Sequence, residues 1–233
     1  MKTGHFGEYA EKGDYHINLD PNWPYLPVYL AKMDLVRRFL DRCDPASSII
    51  DLGCGEGALV IEYRQRGLDI TGLDMNFESE WVRRGSLPAT GLPDAAYDTV
   101  LCLDVLEHLN CSEQKEAVSE IARIIRPGGI FLLTVPNLAH FASRLSFLVR
   151  GKLIRTSSID RHPGDRPVGE YLELLKPCFH ISSRRGIFPT FPLLALLTLW
   201  KPSKSTWLHR LANRWLAYPD WCFLNAIFCE RVS

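Results

Sequence analysis

The sequence predicts a single α/β domain with a doubly wound, mostly parallel sheet of seven strands and helices on both faces. Short apolar runs alternate with segments of helical periodicity through most of the chain, which is the pattern of strand–helix–strand units. A glycine-rich turn follows the first apolar run directly, and an acidic residue ends the next run. The length of 233 residues suits one domain of this kind better than two small ones.

The helices are predicted from apolar residues at helical spacing and from the residues that begin and end them. The first begins at Pro27, a residue favoured in the first helical turn, and ends near Asp41. Further helices are predicted at 57–66, 78–82 (a short helical turn), 112–125, 138–149 and 168–175. Ser112 is the expected cap of its helix, and Gly67 and the 127–129 Pro-Gly-Gly run are expected to end the helices before them.

The strands are predicted where apolar residues run together between turn residues. They lie at 47–52, 68–74, weakly near 85, 97–103, 130–135, 179–187 and 223–232. The last strand is expected to run antiparallel. The segments 1–24 and 151–167 are rich in glycine, proline and polar residues and are expected to be irregular.

Composition is that of a soluble globular protein, with 46% hydrophobic and 23% charged residues. Seven cysteines without a C-x-x-C pair predict neither a disulfide framework nor a zinc site, and they suit a reducing, cytoplasmic location. Residues 1–20 lack the apolar core of a secretory signal. The longest apolar stretch, 188–200, contains two prolines and is shorter than the roughly 20 residues that span a bilayer.

Charge is unevenly distributed although the formal net charge is zero. Residues 1–139 carry 13 Lys and Arg against 21 Asp and Glu, whereas residues 140–217 carry 13 against 4. A solvated surface is the ordinary explanation, and the alternative is that the basic part meets an acidic substrate or an anionic lipid surface. Few aromatic residues alternate with the basic ones, which argues against a dedicated nucleic-acid binder.

The strongest local signal is the run Asp51-Leu-Gly53-Cys-Gly55-Glu-Gly57, between a predicted strand and a predicted helix. Glycine allows a tight turn and a close approach of the backbone to a ligand, and the following helix presents unpaired N–H groups. Asp74 ends the next predicted strand, 21 residues after Gly53, where a carboxylate can accept both hydroxyls of a ribose.

These residues leave several interpretations open. The spacing Gly53-x-Gly55-x-x-Ala58 also matches the dinucleotide fingerprint of nicotinamide-dependent oxidoreductases. A tight strand-to-helix turn without any ligand is the third alternative. The acid at position 74 favours a nucleotide-like ligand over the empty turn.

The run from Ile50 to Gly57 resembles the first motif of the class I S-adenosylmethionine-dependent methyltransferases, in which an acidic residue stands two positions before the first glycine. Further similar stretches are Leu92–Asp94, Tyr97–Val100, Leu103–Leu109, Arg126–Gly129 and Phe131–Asn137. The resemblance covers about residues 27–137 and is closest to the small-molecule branch that includes the ubiquinone-pathway O-methyltransferases. It implies a Rossmann-like methyltransferase fold. It also implies methyl transfer, with S-adenosylhomocysteine as product, to a small-molecule or lipid-like acceptor, through oxygen. A non-catalytic relative is the remaining alternative.

The resemblance also implies roles for segments and residues. Residues 1–26 would cover the cofactor, 27–137 would bind it, 138–217 would form an acceptor-side lid and tail, and 218–233 the final strand. The cofactor residues implied are Lys32, Asp51, Gly53, Cys54, Gly55, Gly57, Asp74, Met75, Ser86, Leu87, Leu103 and Asp104. The glycine loop would hold the methionine part and Asp51 its ammonium. Asp74 would bind the ribose, with Met75 beside the adenine.

The remaining cofactor residues are placed more loosely by the resemblance. Leu103 and Asp104 would lie beneath the sulfonium, and Lys32 near the cofactor carboxylate. Ser86 and Leu87 occupy the position where the family often has an Asp that contacts the adenine. The short connection before them suggests an open adenine wall.

The general base for a hydroxyl acceptor is expected to be a histidine. His108, in the Leu-Glu-His stretch, and His140, after the fifth strand, are the two candidates, although a structural role is the more common one for a lone histidine. His162 in a lid loop and His16 over the cofactor are weaker candidates. His5, His180 and His209 are expected to be surface or structural, and Glu107 to be a helix-start carboxylate. No metal-ligand spacing is present, so no metal is expected.

The segment 187–217 is aromatic, apolar and basic. It is expected to be a lid packed on the substrate pocket or a helix buried in the core. The alternative is a peripheral contact with a membrane surface, or a binding site for a lipid-like acceptor. The sequence carries no prediction of the oligomeric state.

Overall fold

The computed structural model describes residues 19–155 and 157–232. Seven strands form one sheet in the order β3-β2-β1-β4-β5-β7-β6. The strands are β1 Ser48–Leu52, β2 Asp69–Asp74, β3 Val82–Arg84, β4 Tyr97–Leu103, β5 Ile125–Pro136, β6 Phe179–Pro189 and β7 Cys222–Arg231. Neighbours from β3 to β5 pair in parallel, and β7 is antiparallel to both β5 and β6. The predicted doubly wound sheet with its reversed last strand is confirmed.

The order of the strands reverses next to β1, because the chain moves from β3 at the sheet edge to β4 on the other side of β1. Ligands of open α/β sheets bind at such a switch point, outside the carboxyl ends of the strands. The glycine loop follows β1 and therefore lies at this position.

The helices are α1 Leu26–Leu40, α2 Ala58–Gln65, α3 Cys111–Ile124, α4 Phe141–Arg150, α5 Val168–Leu175, α6 Pro192–Trp200 and α7 Pro202–Trp215, with short 3₁₀ turns at Leu106–His108 and Pro219–Trp221. They cover both faces of the sheet. Ile49 packs in a core with α1 and α2, whereas its neighbour Ile50 packs in the opposite core with α3 and α5. Because successive side chains of a strand point to opposite faces, continuous apolar runs are expected in such a doubly covered sheet.

Three local predictions are wrong. The segment 78–82 forms no helical turn, because the chain passes from β2 into β3 through bends, and the Asp74 side chain accepts the backbone N–H of Asn76. The cap of α3 is Asn110 rather than Ser112: its side chain accepts from Ser112 N and Glu113 N, and the Glu113 carboxylate accepts from Asn110 N. Strand β5 begins directly after α3, so that the Pro-Gly-Gly run lies inside the strand.

The segment 187–217 forms the end of β6 and the two helices α6 and α7. The expectation of a buried helix is wrong for α6, because Thr198 is its single buried residue among those described. Helix α7 packs against α1 and β6 with one face.

All seven cysteines are free thiols. The helices within residues 19–155 and 157–232 are each too short or too polar to cross a bilayer. His5 and His16, like most of the lead segment 1–26, lie outside the described residues, so the role predicted for that segment stays a prediction.

Candidate active site

The glycine loop turns sharply between β1 and α2. Gly53, Gly55 and Gly57 all have positive φ, at 74°, 58° and 78°, a conformation that side chains with a Cβ rarely adopt. A Cβ added to Gly53 would lie 2.4 Å from Val105 Cγ2, and one added to Gly57 would lie 2.6 Å from Val82 Cγ2. The protein's own packing therefore requires glycine at positions 53 and 57, independently of any ligand.

Asp74 ends β2 and fastens this loop. Its Oδ2 accepts the backbone N–H of Gly55 at 2.8 Å, and its Oδ1 accepts those of Asn76 at 2.8 Å and Phe77 at 3.3 Å. Each carboxylate oxygen has two lone pairs, so Asp74 retains acceptor capacity after these three bonds. The residue that was predicted to bind ribose also holds the glycine loop in place.

Asp51 lies next to the carboxyl end of β1 with 4% of its surface exposed. Its Oδ1 has no hydrogen-bond partner among the described residues. Burial raises the pKa of Asp51 to about 7, the charge of Lys32 opposes this shift, and the charge of Asp74 adds to it. A buried carboxylate oxygen without a donor is costly, and it suits a cationic ligand group.

Asp104 follows β4 with φ of 57°, an uncommon conformation for a residue other than glycine. Its Oδ2 accepts from Lys32 Nζ and Tyr25 Oη, each at 2.8 Å, and its Oδ1 accepts from Thr134 Oγ1 at 2.5 Å. Burial acts to raise the pKa of Asp104, but the charge of Lys32 and the three hydrogen bonds hold it below the usual range. Lys32, predicted to face the cofactor carboxylate, thus pairs with Asp104 in this structure. Sequence reasoning missed Tyr25, which lies in no motif, and Thr134, which lies inside the Phe131–Asn137 stretch but was given no role.

The residues predicted near the adenine lie beyond β2 and β3. Met75 is 55% exposed, Leu87 is buried in the core beside α3, and Ser86 forms a bridge with Ala89 after β3. Leu103, at the end of β4, packs in part against the core of α1 and α2.

A histidine pair lies just after β4. His108 ends the 3₁₀ turn, its Nδ1 lies 3.1 Å from the carbonyl oxygen of Arg161, and its ring centroid lies 4.6 Å from that of His162. His162 Nδ1 is 3.6 Å from Asp165 Oδ1. Burial, and next the charge of His162, lower the pKa of His108 below its ordinary value. A neutral imidazole that can accept a proton is therefore present near neutral pH.

The loop that carries His162 is fastened to the turn that carries His108. Gly164 N donates to the carbonyl oxygen of Glu107 at 3.1 Å, and Gln114 Nε2 donates to the carbonyl oxygen of Gly164 at 3.0 Å. Sequence reasoning did not identify Asp165 and Gln114. A polar Gln114 on the apolar face of α3 was the available signal.

Glu107 lies in the first turn of the same 3₁₀ helix, where a helix-start carboxylate was expected, but it is buried. Burial, and next the negative charge of Asp104, raise its pKa well above the ordinary value. Burial and the neighbouring negative charge therefore both favour the protonated form of Glu107.

His140 occupies a different environment. It caps α4, with Nδ1 2.8 Å from Thr190 Oγ1 and accepting from Ser143 N at 3.4 Å, and it is 4% exposed. Burial lowers its pKa to about 4. The remaining described histidines match the surface or structural expectation: His180 is exposed, and His209 is buried with Nε2 2.7 Å from Thr198 Oγ1. Residues 19–155 and 157–232 contain no group of three side chains suited to a metal ion.

Comparison with known proteins agrees with this geometry. A family model described as a methyltransferase domain matches residues 25–180. A Mycolicibacterium smegmatis protein named "Probable S-adenosylmethionine-dependent methyltransferase" is 34% identical over 46% of this chain and 44% of its own length. A ubiquinone biosynthesis O-methyltransferase from Paracidovorax citrulli is 30% identical over 55% of this chain and 57% of its own. The chain thus spans about half the length of the curated relatives it matches.

Solved structures share the fold at low sequence identity. An S-adenosylmethionine-dependent methyltransferase from Archaeoglobus fulgidus superposes with a TM-score of 0.57 and 17% identity over 96% of this chain and 100% of that one. Geranyl diphosphate C-methyltransferase from Streptomyces coelicolor, solved with S-adenosyl-L-homocysteine, gives a TM-score of 0.57 and 14% identity over 88% of this chain and 79% of that one. The chain therefore belongs to the methyltransferase domain family, as an S-adenosylmethionine-dependent member.

Proposed function

We propose that this chain transfers the methyl group of S-adenosylmethionine to an oxygen atom of a small, lipid-like acceptor. When bound, the cofactor supplies a methyl group on a positively charged sulfur. The chain then has to align two molecules for an in-line displacement and to remove a proton from the acceptor. The observation that carries the proposal is the buried, unpartnered Oδ1 of Asp51 beside the glycine loop.

On this proposal, the ammonium of the cofactor's amino-acid part pairs with Asp51. This pairing would offset the cost of burying the carboxylate, and it favours the ionised form of Asp51. The backbone of Gly53–Gly57 would approach the same part of the cofactor, and Asp74 would accept a ribose hydroxyl with the one lone pair of Oδ2 that its three backbone contacts leave. Lys32 forms an ion pair with Asp104, so the end of β4, which would lie beneath the sulfonium, carries no net charge from these two residues.

We propose His108 as the general base. A carbonyl oxygen can only accept, so the contact with Arg161 O assigns the hydrogen to Nδ1 and leaves the basic lone pair on Nε2. Its lowered pKa keeps the ring neutral at pH 7 and therefore able to accept a proton. His162 and Asp165 orient the ring from the loop.

His140, the second candidate base, is better explained as a structural residue. Its Nδ1 is engaged with Thr190 and with the first turn of α4, and a pKa of about 4 makes it a poor base at neutral pH.

An oxygen acceptor is supported by the names of relatives at about 30% identity, which include ubiquinone biosynthesis O-methyltransferases and a malonyl-[acyl-carrier protein] O-methyltransferase from Serratia marcescens. A lipid-like acceptor is supported by the exposed apolar helices α4 and α6, which begin at the carboxyl edge of the sheet. The basic part of the chain makes acidic acceptors the second class to examine.

Cofactor binding is tested by calorimetry with S-adenosylmethionine, S-adenosylhomocysteine and NADH. We expect the first two to bind and NADH not to bind. Asp74→Ala should lose binding, whereas the matched control Asp69→Ala, at the exposed opposite end of β2, should retain it. Binding of NADH alone would establish the dinucleotide alternative in place of this proposal.

Transfer is tested by following S-adenosylhomocysteine release with apolar small molecules that bear a hydroxyl or a carboxylate. We expect an O-methyl product, and with a hydroxyl acceptor a rate that falls at least a hundredfold in His108→Ala, with cofactor affinity unchanged. In the wild type, the rate should decline as the pH falls below the ordinary histidine value, because protonation removes the base. Tight cofactor binding with no product from any acceptor, or a methyl group found on nitrogen or carbon, would contradict the oxygen assignment.

A further inference from the structure

Helix α6 turns an entirely apolar surface to solvent. Leu193 is 76% exposed and Trp200 72%, and Leu196 and Leu199 are exposed between them at helical spacing. Thr198 is the one residue of the helix that is fully buried. A surface helix of a soluble protein normally directs its leucines inward and its polar residues outward, so α6 has the opposite arrangement.

Helix α7 continues this surface with a different composition. Trp207, Leu211 and Trp215 are exposed and recur every four residues, so they form one stripe along the helix. Exposed basic residues accompany the stripe: Lys204, Arg210 and Arg214. The opposite face packs into the protein through Ser205, His209 and Ala212. Tryptophan beside lysine and arginine on one exposed face is typical of helices that lie in a membrane interface.

Helix α4 adds a third exposed apolar segment. Phe147, Leu148 and Val149 are exposed, Leu148 to 81%. The first turn of α4 contacts the start of α6, where the rings of Phe141 and Phe191 lie 5.1 Å apart. Both helices follow strands that end at the carboxyl edge of the sheet, so this face adjoins the candidate active site.

The charge of this face is predominantly positive, and Arg155 is the member that lies beside a carboxylate, 4.0 Å from Asp165. Segments 141–155 and 192–218 contain eight lysines and arginines and no aspartate or glutamate. Asp220, just beyond, is ion-paired with Arg184 at 2.9 Å. A second copy of the chain would bring the same positive charge against this face, which disfavours self-association. An anionic surface with an apolar interior complements both of its properties.

We propose that the exposed face of α4, α6 and α7 docks on an anionic phospholipid bilayer, with the leucines and tryptophans inserted at the interface and the lysines and arginines against the lipid headgroups. This orientation turns the carboxyl edge of the sheet toward the membrane. The docking itself does not depend on the acceptor or on methyl transfer.

Vesicle flotation tests the proposal with the full chain. Vesicles of phosphatidylcholine alone are compared with vesicles that mix phosphatidylcholine and phosphatidylglycerol. The apolar variant is Leu196→Ser with Trp200→Ser, and the basic variant is Arg210→Glu with Arg214→Glu. A matched charge control, Arg42→Glu with Lys176→Glu, reverses two exposed basic residues that follow α1 and α5 at the opposite edge of the sheet.

We expect the wild type and the control to float with the anionic vesicles and not with phosphatidylcholine alone. Each basic residue at an anionic surface raises the partition coefficient about fivefold, so the basic variant should bind the anionic vesicles at least tenfold more weakly than the wild type. The apolar variant should also lose most of its binding. Calorimetry with S-adenosylhomocysteine checks that each variant is folded, since its affinity should not change.

Three results would overturn the proposal. The first is a wild-type protein that fails to float with the anionic vesicles, and the second is equal flotation of the control and the basic variant. The third is a stable dimer in solution that the apolar variant dissociates, because a second copy would then be the occupant of this face.

Discussion

Replacing Asp51 by Asn removes an ionisable group that the fold buries without a hydrogen-bond donor to its Oδ1. In the folded protein its pKa is raised from 3.8 to about 7, chiefly by burial. The unfolded chain ionises this group above pH 3.8, whereas the folded protein holds it protonated until about pH 7. Its contribution to stability is therefore largest below pH 3.8 and is lost as the pH rises through 7.

The magnitude follows from the two pKa values. Each pKa unit corresponds to about 1.36 kcal/mol, so the full loss between the two values is about 4 kcal/mol, of which about 2.7 kcal/mol falls between pH 5 and pH 8. The free energy of unfolding is measured at pH 5 and at pH 8 by urea titration followed by tryptophan fluorescence. From pH 5 to pH 8, the free energy of unfolding of the wild type should fall by about 2.7 kcal/mol more than that of Asp51→Asn. Asp34→Asn, which removes a surface carboxylate, should parallel the wild type. Equal pH dependence of the wild type and Asp51→Asn would refute the reasoning.

Burial favours the protonated form of Asp51, and a bound cofactor should favour the ionised form instead. An ammonium that pairs with Asp51 needs the ionised carboxylate, so binding should release a proton below pH 7, and the affinity should fall about tenfold for each pH unit below 7. Calorimetry in buffers of different ionisation enthalpy measures that proton. Asp51→Asn should bind the cofactor more weakly, and its affinity should not show the tenfold fall for each pH unit below 7.

Three further predictions concern neighbouring groups. Gly53→Ala should destabilise the fold by about 2–4 kcal/mol, because its Cβ meets Val105 in a left-handed conformation; Gly67→Ala, with φ of 90° and open space around it, should cost about 1–2 kcal/mol in the same urea titration. In the wild type, the free energy of unfolding should fall by about 2 kcal/mol from pH 6.5 to pH 5, because the pKa of His140 is lowered to about 4. His140→Asn should abolish this decrease and keep the cap of α4, because asparagine is a good cap residue. Glu107→Gln should change the free energy of unfolding at pH 7 by less than about 1 kcal/mol, because burial and the charge of Asp104 favour the neutral form of this carboxyl, which a glutamine amide matches in size.

The sheet and the cofactor loop could be predicted because local rules determine them. Apolar runs between turn residues located six of the seven strands, whereas β3 was expected only weakly near residue 85 and lies at Val82–Arg84. The Asp51–Gly57 run located the loop at the switch point. The positive φ of all three glycines is the property for which such a motif selects.

Other features depend on contacts between distant parts of the chain. The ion pair of Lys32 with Asp104 joins α1 to the end of β4, and no spacing rule connects two residues so far apart. The cap of α3 was misassigned because Ser112 and Asn110 are both good cap residues, and the Glu113 partner decides between them. The segment of α6 was expected to be a lid on the substrate pocket or a helix buried in the core, because an apolar run by itself does not show whether protein or another surface covers it.

The histidines show the same limit. His108 and His140 have the same side chain and both follow strand ends, yet one faces a second histidine and the other caps a helix. Their different environments follow from partners in the 157–167 loop and at Thr190, just after β6, which the sequence places far from either residue.

A crystal structure of the chain with S-adenosylhomocysteine tests the central claim most directly. We predict that the amino-acid part of the ligand lies along Gly53–Gly57 with its ammonium on Asp51, and that the ribose hydroxyls lie on Asp74. Ligand density elsewhere on the protein, or a crevice that takes up a pyrophosphate and not this ligand, would contradict the account.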